Sequence, residues 1–152
     1  MPRLVSLRDH LEYSDTFALW VHQQFAYEYN EQPLVDWQRE FREGQSNGEW
    51  QTLIALEDGQ LLGGASLAKD DLTERPELGP WLACVLVAPQ ARRQGLAEQL
   101  IEGVYSQARA KGHERLYLHT HDRGDYYAKR GWEYRELFHA WGKEHWLMER
   151  KL

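Results

Sequence analysis

The segment from Leu82 to Ala110 constrains the fold most, because a strand-like run is followed directly by a helix-like pattern. Residues 83–88 are aliphatic or small and carry no charge, which is typical of a strand buried on both faces. Pro89 ends this run, and apolar residues then recur at helical spacing from Leu96 to Ala108. Gly112 follows at the position where a glycine commonly ends a helix. The segment therefore predicts an α/β fold in which a buried strand leads straight into an amphipathic helix.

The loop of residues 90–95 joins these two predicted elements and is a candidate anion site. The first backbone N–H groups of a helix lack internal partners, and the helix dipole is positive at that end, so a phosphate is favoured there. The segment contains neither the Gly-Lys-Ser/Thr of a Walker loop nor the Gly-x-Gly-x-x-Gly of a dinucleotide-binding turn. The loop therefore predicts a phosphate site of another type, and the structural alternative is an ordinary turn with solvated arginines.

The pattern Arg92-x-x-Gly95-x-Ala97 resembles the (Gln/Arg)-x-x-Gly-x-(Gly/Ala) pyrophosphate loop of the GNAT acetyltransferases, which bind acetyl-coenzyme A. The resemblance implies that the backbone N–H groups of residues 93–97 bind the pyrophosphate. It also implies that a backbone N–H group at Val85, Leu86 or Val87 holds the acetyl carbonyl. The loop residues that it assigns to coenzyme binding are Arg92, Arg93, Gln94, Gly95, Leu96 and Ala97.

A second segment, Tyr127-Ala-Lys-Arg-Gly131-Trp132, resembles the Tyr-x-x-x-Gly-Phe sequence that follows the fifth strand in GNAT enzymes. In that family the tyrosine often protonates the departing coenzyme A thiolate. Amine attack on a thioester expels a thiolate whose thiol has a pKa of about 8.5, and a nearby phenol can donate a hydrogen bond or proton to it. We therefore predict Tyr127 as the acid, with Tyr126 as the alternative, and place Tyr127 and Lys129 among the coenzyme-binding residues.

The general base is less clear from the sequence. Many GNAT enzymes use a glutamate or a water reached from the central strands, but residues 80–88 contain no carboxylate. The candidates outside the strand are Glu77, Asp70, Asp71, His119 and His121. Glu77 and His121 join Tyr127 in the predicted catalytic set, and the other candidates stay open.

The motif His119-x-His121-Asp122 has the residue types of a zinc site, because alternate positions of a strand face the same way. Three ligands so close in sequence do not spread readily around one tetrahedral metal, and no fourth ligand is signalled. We therefore predict acetyl-coenzyme A as the cosubstrate and no metal.

The other predicted elements complete an α/β layout of a strand, two helices, three strands, a helix, a strand, a helix and a hairpin. This order resembles the GNAT fold and implies one domain over residues 1–152, with a mixed, mostly antiparallel sheet of six to seven strands and about four flanking helices. Asp58-Gly59 predicts a hairpin turn, and Gly63-Gly64 predicts a bulge or a close backbone approach. One helix is predicted over Leu34–Glu43, and Asp125 is predicted to cap the last one.

Composition limits the classes of partner. The net charge of −6 argues against nonspecific nucleic-acid binding, which relies on a basic face. No run approaches roughly 18 apolar residues, and charges appear early in the chain, so we expect no membrane partner and a cytoplasmic protein. The single cysteine, Cys84, is expected to be a small core residue. The expected partner is a small-molecule or peptide amine, and the expected state is a monomer or homodimer.

Aromatic residues alternate with carboxylates in the first two predicted helices, a region that walls the acceptor pocket in GNAT enzymes. Core packing explains the same pattern equally well. The residues concerned are Trp20, Phe25, Tyr27, Tyr29, Trp37 and Phe41, with Glu28, Glu31 and Asp36. The resemblance implies an N-acetyltransferase that moves an acetyl group from acetyl-coenzyme A directly to a primary amine in a ternary complex. A noncatalytic acyl-coenzyme A sensor of the same fold is the alternative, and a structural protein that binds no coenzyme is the third possibility.

Overall fold

Seven strands form one sheet in the computed structural model, which describes residues 2–29 and 31–152 apart from the Tyr29 side chain. The strands are β1 (Arg3–Ser6), β2 (Trp50–Glu57), β3 (Gln60–Ala68), β4 (Trp81–Val87), β5 (Arg115–Thr120), β6 (Glu133–Ala140) and β7 (Lys143–Lys151). Their order across the sheet is β1-β2-β3-β4-β5-β7-β6. All neighbours pair antiparallel except β4 and β5, which are parallel. The predicted α/β class with a mixed, mostly antiparallel sheet is confirmed.

Five α-helices cover the sheet within the described residues. They are α1 (Ser14–Gln24), α2 (Ala26–Tyr29), α3 (Leu34–Asn47), α4 (Leu96–Ala110) and α5 (Gly124–Ala128). None of these helices is long and apolar enough to cross a membrane. The first three come before the β2–β3 hairpin, whereas α4 connects the parallel strands β4 and β5, as a parallel pair requires.

Strand β4 is the centre of the molecule, because its side chains enter the cores on both faces of the sheet. Ala83, Cys84 and Leu86 belong to the core that also holds Phe17 of α1 and Phe41 of α3. On the opposite face, Leu82 and Val87 pack with the core that includes residues of α4. The prediction that this strand is buried on both faces is confirmed. Strand β5 alternates as predicted, with Leu116 and Leu118 in one core and Tyr117 in the other.

The parallel strands β4 and β5 separate soon after they meet. Their ladder pairs Trp81 with Tyr117, and it contains no further pair among the described residues. On its other side, β4 carries one extra residue relative to β3, because the register moves from Ser66↔Ala83 to Gly64↔Leu86. Cys84 lies in this bulge with a φ of 55°. The bulge turns the end of β4 away from β5 and leaves a gap between them.

Gly63 and Gly64 mark this irregularity, as predicted. A Cβ on Gly63 would lie 2.6 Å from the Leu86 carbonyl oxygen, so the two strands approach closely there. The Asp58-Gly59 turn also joins its two strands as predicted.

Two predicted helix features were wrong. Helix α3 continues beyond Glu43 to Asn47 and ends at Gly48, whose φ is 86°. Gly44 stays helical because the Trp50 ring packs against it, where a Cβ would meet Trp50 Cδ1 at 2.4 Å. Asp125 lies inside α5 and accepts a hydrogen bond from the Tyr134 hydroxyl at 3.2 Å, so it is not the cap.

Candidate active site

A cavity of about 580 Å³ occupies the gap between β4 and β5. Its floor is β4 from Leu82 to Val87 and β5 from Leu118 to Thr120. The start of α4 and helix α5 bound one end, and α2 with Asp71 bounds the other. We call these the coenzyme end and the acceptor end. Side chains far apart in sequence therefore meet in one cavity because the two strands diverge.

The coenzyme end is formed by the loop before α4. Arg93 and Gly95 both adopt left-handed backbone conformations, with φ values of 64° and 78°, and they turn the chain into the helix. Arg92 anchors the loop, because its Nε donates a hydrogen bond to the Val87 carbonyl at 3.0 Å. No side chain of the described residues caps α4, so its first N–H groups remain available to an anion.

Most of the predicted coenzyme-binding residues line this end of the cavity. Those that do so are Val85, Leu86, Val87, Arg92, Arg93, Gly95, Leu96, Ala97 and Tyr127. Gln94 and Lys129 are exposed and do not line it. Two arginine side chains and a free helix N-terminus therefore meet at one place, which suits a pyrophosphate.

The backbone of β4 also presents donors to the cavity. Ala88 donates its N–H to the Leu62 carbonyl of β3 at 2.8 Å, and alternate residues of an antiparallel strand point their N–H groups the same way. The N–H group of Leu86 therefore points towards β3, whereas the N–H groups of Val85 and Val87 point into the gap. The Val87 carbonyl group supports this direction, because it accepts a hydrogen bond from Arg92 on the side away from β3. The ladder thus narrows the predicted carbonyl-binding group to the N–H of Val85 or Val87.

Tyr126 and Tyr127 both line the cavity from α5. The Arg130 guanidinium covers the Tyr126 ring, with Cζ 3.7 Å from the ring centroid. Tyr127 packs instead against Trp132, with ring centroids 6.0 Å apart, and burial raises the pKa of its hydroxyl above the usual range. Tyr127 therefore stays protonated at neutral pH and can donate a hydrogen bond into the cavity.

The acceptor end contains a buried cluster of one imidazole and two carboxylates. His119 Nε2 lies 3.0 Å from Asp71 Oδ2 and 3.9 Å from Glu28 Oε1. The three side chains are only 4%, 14% and 13% exposed. The Asp71 contact has the distance of an ion pair, although the ring N–H is not aligned with the oxygen as in a hydrogen bond.

The two charge signs change the pKa values in this cluster. Burial by itself lowers the pKa of His119, but Asp71 and Glu28 outweigh it and raise the pKa to about 9. Burial raises the pKa of Glu28 to about 7, even though His119 opposes the shift. Asp71 and Glu28 thus favour the charged form of His119, whereas burial favours the protonated form of Glu28.

A second histidine, His145, lies behind this cluster and is fully buried. Its ring stacks on Phe138 with centroids 5.3 Å apart, and the Trp141 ring is 5.2 Å away. Neither ring nitrogen has a hydrogen-bond partner among the described residues. Burial, reinforced by the nearby His119 and His121, lowers the pKa of His145 to about 4, so this ring is neutral.

The two remaining catalytic predictions differ in position. His121 lines the cavity, with its ring 5.0 Å from that of Tyr27. Glu77 does not line it, because Arg75 Nε holds its carboxylate at 2.8 Å on the exposed loop after β3. Arg75 also lowers the pKa of Glu77. Asp70 is exposed outside the cavity as well.

Sequence reasoning did not single out Glu28 as a possible base, although it sits between two tyrosines in the predicted acceptor region. Phe25 and Tyr27 line the cavity, whereas Trp37 and Phe41 are core residues. Trp20 packs against that core, and the Tyr29 side chain lies outside the described residues. Among residues 2–29 and 31–152, no group of three or more His, Cys, Asp or Glu side chains is arranged to hold a metal ion.

Comparison with known proteins agrees with this geometry. The profile of the acetyltransferase (GNAT) family matches residues 14–133. A curated relative, the amino-acid acetyltransferase of Neisseria meningitidis, is 34% identical over 83 residues, which are 53% of this chain. The match spans only 17% of that relative's length.

Two solved structures share the fold. A GNAT-family protein from Desulfovibrio desulfuricans superposes with a TM-score of 0.77 at 16% identity, over 99% of both chains. N-acetylglutamate synthase from Neisseria gonorrhoeae, solved with coenzyme A and N-acetyl-glutamate, gives a TM-score of 0.68 at 20% identity and covers 99% of this chain and 35% of its own. With its family profile and its fold in agreement, the chain belongs to the acetyltransferase (GNAT) family.

Proposed function

We propose that the protein transfers an acetyl group from acetyl-coenzyme A directly to a primary amine, within a ternary complex. The observation that carries this proposal is that one continuous cavity joins the uncapped N-terminus of α4, which suits an anion, to the buried cluster of carboxylates and histidine. A donor bound at the coenzyme end and an amine bound at the acceptor end would meet over β4. The proposal takes residues 1–152 as one domain.

Each part of the cavity has a role in this reaction. The N–H groups of residues 93–97 bind the pyrophosphate, with Arg92 and Arg93 beside it. The N–H of Val85 or Val87 donates to the acetyl carbonyl oxygen as negative charge develops there, and a backbone donor of this kind contributes roughly 3 to 4 kcal/mol to catalysis. Tyr127 donates to the departing thiolate.

Direct transfer is favoured over an acyl-enzyme because of the state of Cys84. This thiol is in the cavity wall, but burial raises its pKa well above the usual range. A thiol reacts as its thiolate, so a cysteine held protonated is a poor nucleophile. The amine therefore attacks the thioester itself.

Calorimetry with acetyl-coenzyme A, followed by release of free thiol in the presence of amines, tests the proposal. The amine panel includes α-amino acids, because relatives are named for acetylating them. We expect binding in the micromolar range and thiol release that depends on the amine. Binding without release for every amine favours the acyl-coenzyme A sensor instead, and absence of binding overturns both functions.

A further inference from the structure

We propose that Glu28 is the general base of this transfer and that the acceptor is an aliphatic amine, which arrives as its ammonium ion. The inference rests on the transferase function proposed above. It adds the residue that takes the acceptor's proton and the chemical class of the acceptor.

Position is the first argument for Glu28. Its carboxylate lines the cavity from α2, directly across from β5, and is 13% exposed. A substrate in the cavity can therefore reach it, although bulk water has little access. The strand β4 itself offers no carboxylate, so a base must come from the opposite wall.

The other candidates are less suited to accept a proton. Glu77 and Asp70 do not line the cavity. Asp71 Oδ2 lies 3.0 Å from His119 Nε2, and this contact favours the charged form of His119, which has no lone pair to offer. His121 lines the cavity but lies against the Tyr27 ring. The Glu28 carboxylate, by contrast, lies 3.9 Å from His119 Nε2, so it is not held in a close ion pair.

The surroundings of Glu28 suit this role. Tyr27 on α2, Asp71 on the loop after β3, His119 on β5 and Cys84 on β4 are the titratable groups that interact with it. Burial and Asp71 favour the protonated carboxyl, whereas His119 favours the carboxylate. The resulting pKa of about 7 is near the operating pH, where a general base is most effective.

The proton and electron balance of the transfer is as follows. The ammonium gives one proton to the Glu28 carboxylate, and the freed nitrogen lone pair forms the bond to the thioester carbonyl carbon. The C–S bond breaks, its electron pair leaves with sulfur, and sulfur takes a proton from the Tyr127 hydroxyl. The second proton on the new amide nitrogen returns through solvent to Tyr127. One proton is released in total, from Glu28.

The acceptor class follows from the need for a base. An arylamine is already neutral at pH 7, whereas an aliphatic ammonium must lose a proton before it can attack. The charges in the cavity agree, because Arg92, Arg93 and Arg123 outnumber Glu98 around the start of α4 and α5, whereas three carboxylates at the acceptor end outnumber one charged His119. These carboxylates are those of Glu28, Asp71 and Asp122. A cation is therefore attracted to the end opposite the phosphates.

The test is the pH dependence of kcat/KM for the wild type and Glu28→Gln, with the most active aliphatic amine of the panel. At pH 7 we expect a loss of about 100-fold or more in Glu28→Gln, with acetyl-coenzyme A affinity unchanged within twofold. The wild-type profile should show an acid limb near pH 7. The variant should lack that limb, and its rate should rise about tenfold per pH unit as the amine itself loses its proton.

Glu31→Gln is the matched control, because Glu31 is exposed and does not line the cavity, and it should behave as wild type. Equal activity of Glu28→Gln and wild type overturns the base role alone. An inactive wild type that binds acetyl-coenzyme A overturns the proposed function and the base role together. Two amines of different pKa test the wild type by itself: an acid limb that moves with the amine pKa overturns the base role, even if Glu28→Gln does not fold.

Discussion

The two ends of the cavity are built from different parts of the chain. The coenzyme end combines backbone N–H groups at the start of α4, which do not titrate, with the side chains of Arg92, Arg93 and Tyr127. The acceptor end consists of side chains from α2, the loop after β3 and β5, and its charges depend on pH. We therefore expect coenzyme binding to tolerate side-chain changes and pH, whereas turnover should be sensitive to both.

Besides the loss expected for Glu28→Gln, the largest effect in this comparison is expected at Tyr127, which lines the coenzyme end of the cavity. Tyr127→Phe keeps the ring but removes the donor, so kcat should fall by about 100-fold, with a smaller change in KM for acetyl-coenzyme A. Steady-state kinetics checks this. Tyr126→Phe is the control and should be nearly neutral. The reverse result would transfer the role to Tyr126, and two unaffected variants would make protonation by water the better account.

The next largest effect concerns the backbone donors of the coenzyme end. Gly95→Asp adds a carboxylate beside the phosphate site, and we expect the Kd for acetyl-coenzyme A to rise by an order of magnitude or more, measured by calorimetry. A Cβ at Gly95 meets no atom within 4 Å, and the φ of 78° strains Asp and Asn alike, which are the non-glycine residues that tolerate this region best. Gly95→Asn has the same size without the charge and should bind at least several-fold more tightly than Gly95→Asp. Equal affinities would contradict a pyrophosphate at this loop.

The acceptor end should also make folding stability depend on pH, in two directions. The folded pKa of His145, about 4, is below its unfolded value, so the contribution of this ring to stability falls as the pH drops from about 6.5 towards 4. Glu28 acts in the opposite direction over an overlapping range, because its folded pKa of about 7 is above its unfolded value and its contribution is lost as the pH rises from about 4.5 through 7. The folded pKa of His119, about 9, is above its unfolded value, so that stability is lost as the pH rises from about 6.5 through 9.

Denaturant unfolding as a function of pH separates the contributions of His145 and His119 to the free energy of unfolding. Because Glu28 contributes in the opposite direction, the readout is the difference from the wild type: between about pH 6.5 and pH 4, His145→Phe should gain about 1 kcal/mol or more relative to the wild type, since one pKa unit corresponds to about 1.4 kcal/mol. His119→Gln should remove the alkaline loss instead. If both variants follow the wild-type curve on both sides, the two rings do not have the assigned charges.

The smallest effect is expected at Glu77, which the sequence placed in the catalytic set. Its carboxylate is paired with Arg75 on an exposed loop, so Glu77→Gln should change kcat and KM by less than about twofold. The same assay as for Tyr127 measures this. A tenfold loss would mean that the loop brings Glu77 into the cavity during turnover.

The sequence allowed the strand, the turn and the helix of the coenzyme end to be predicted because their signal is local. Strand, turn and helix start follow one another between residues 82 and 97, and their chemistry depends on backbone groups that any fold of this segment presents. The alternation in β5 was equally local. The hypothesis that Arg92 and Gly95 mark the phosphate site therefore needed no knowledge of the rest of the chain.

The acceptor end could not be predicted in the same way, because its residues come from distant parts of the chain, and a residue close to β4 in sequence lies outside the cavity. Glu77 precedes β4 by a few residues, but Arg75 holds it outside, whereas Asp71, earlier in the same loop, reaches His119. Glu28 arrives from α2, more than 40 residues before Asp71 in the chain. The prediction that α3 ends at Glu43 was wrong for a similar reason, because the contact of Gly44 with Trp50 is not visible as a local sequence pattern.

The β6–β7 hairpin lies almost entirely beyond the range that matches the family profile. The family profile ends at residue 133, whereas Phe138, Trp141 and His145, which surround the acceptor cluster, come after it. The matched range thus contains the loop before α4, whereas the aromatic residues behind His119 follow that range, although the fold is shared with a GNAT-family protein over 99% of the chain. Under the proposed function, we therefore expect substitutions in this hairpin to change which amine is used more than they change the affinity for acetyl-coenzyme A.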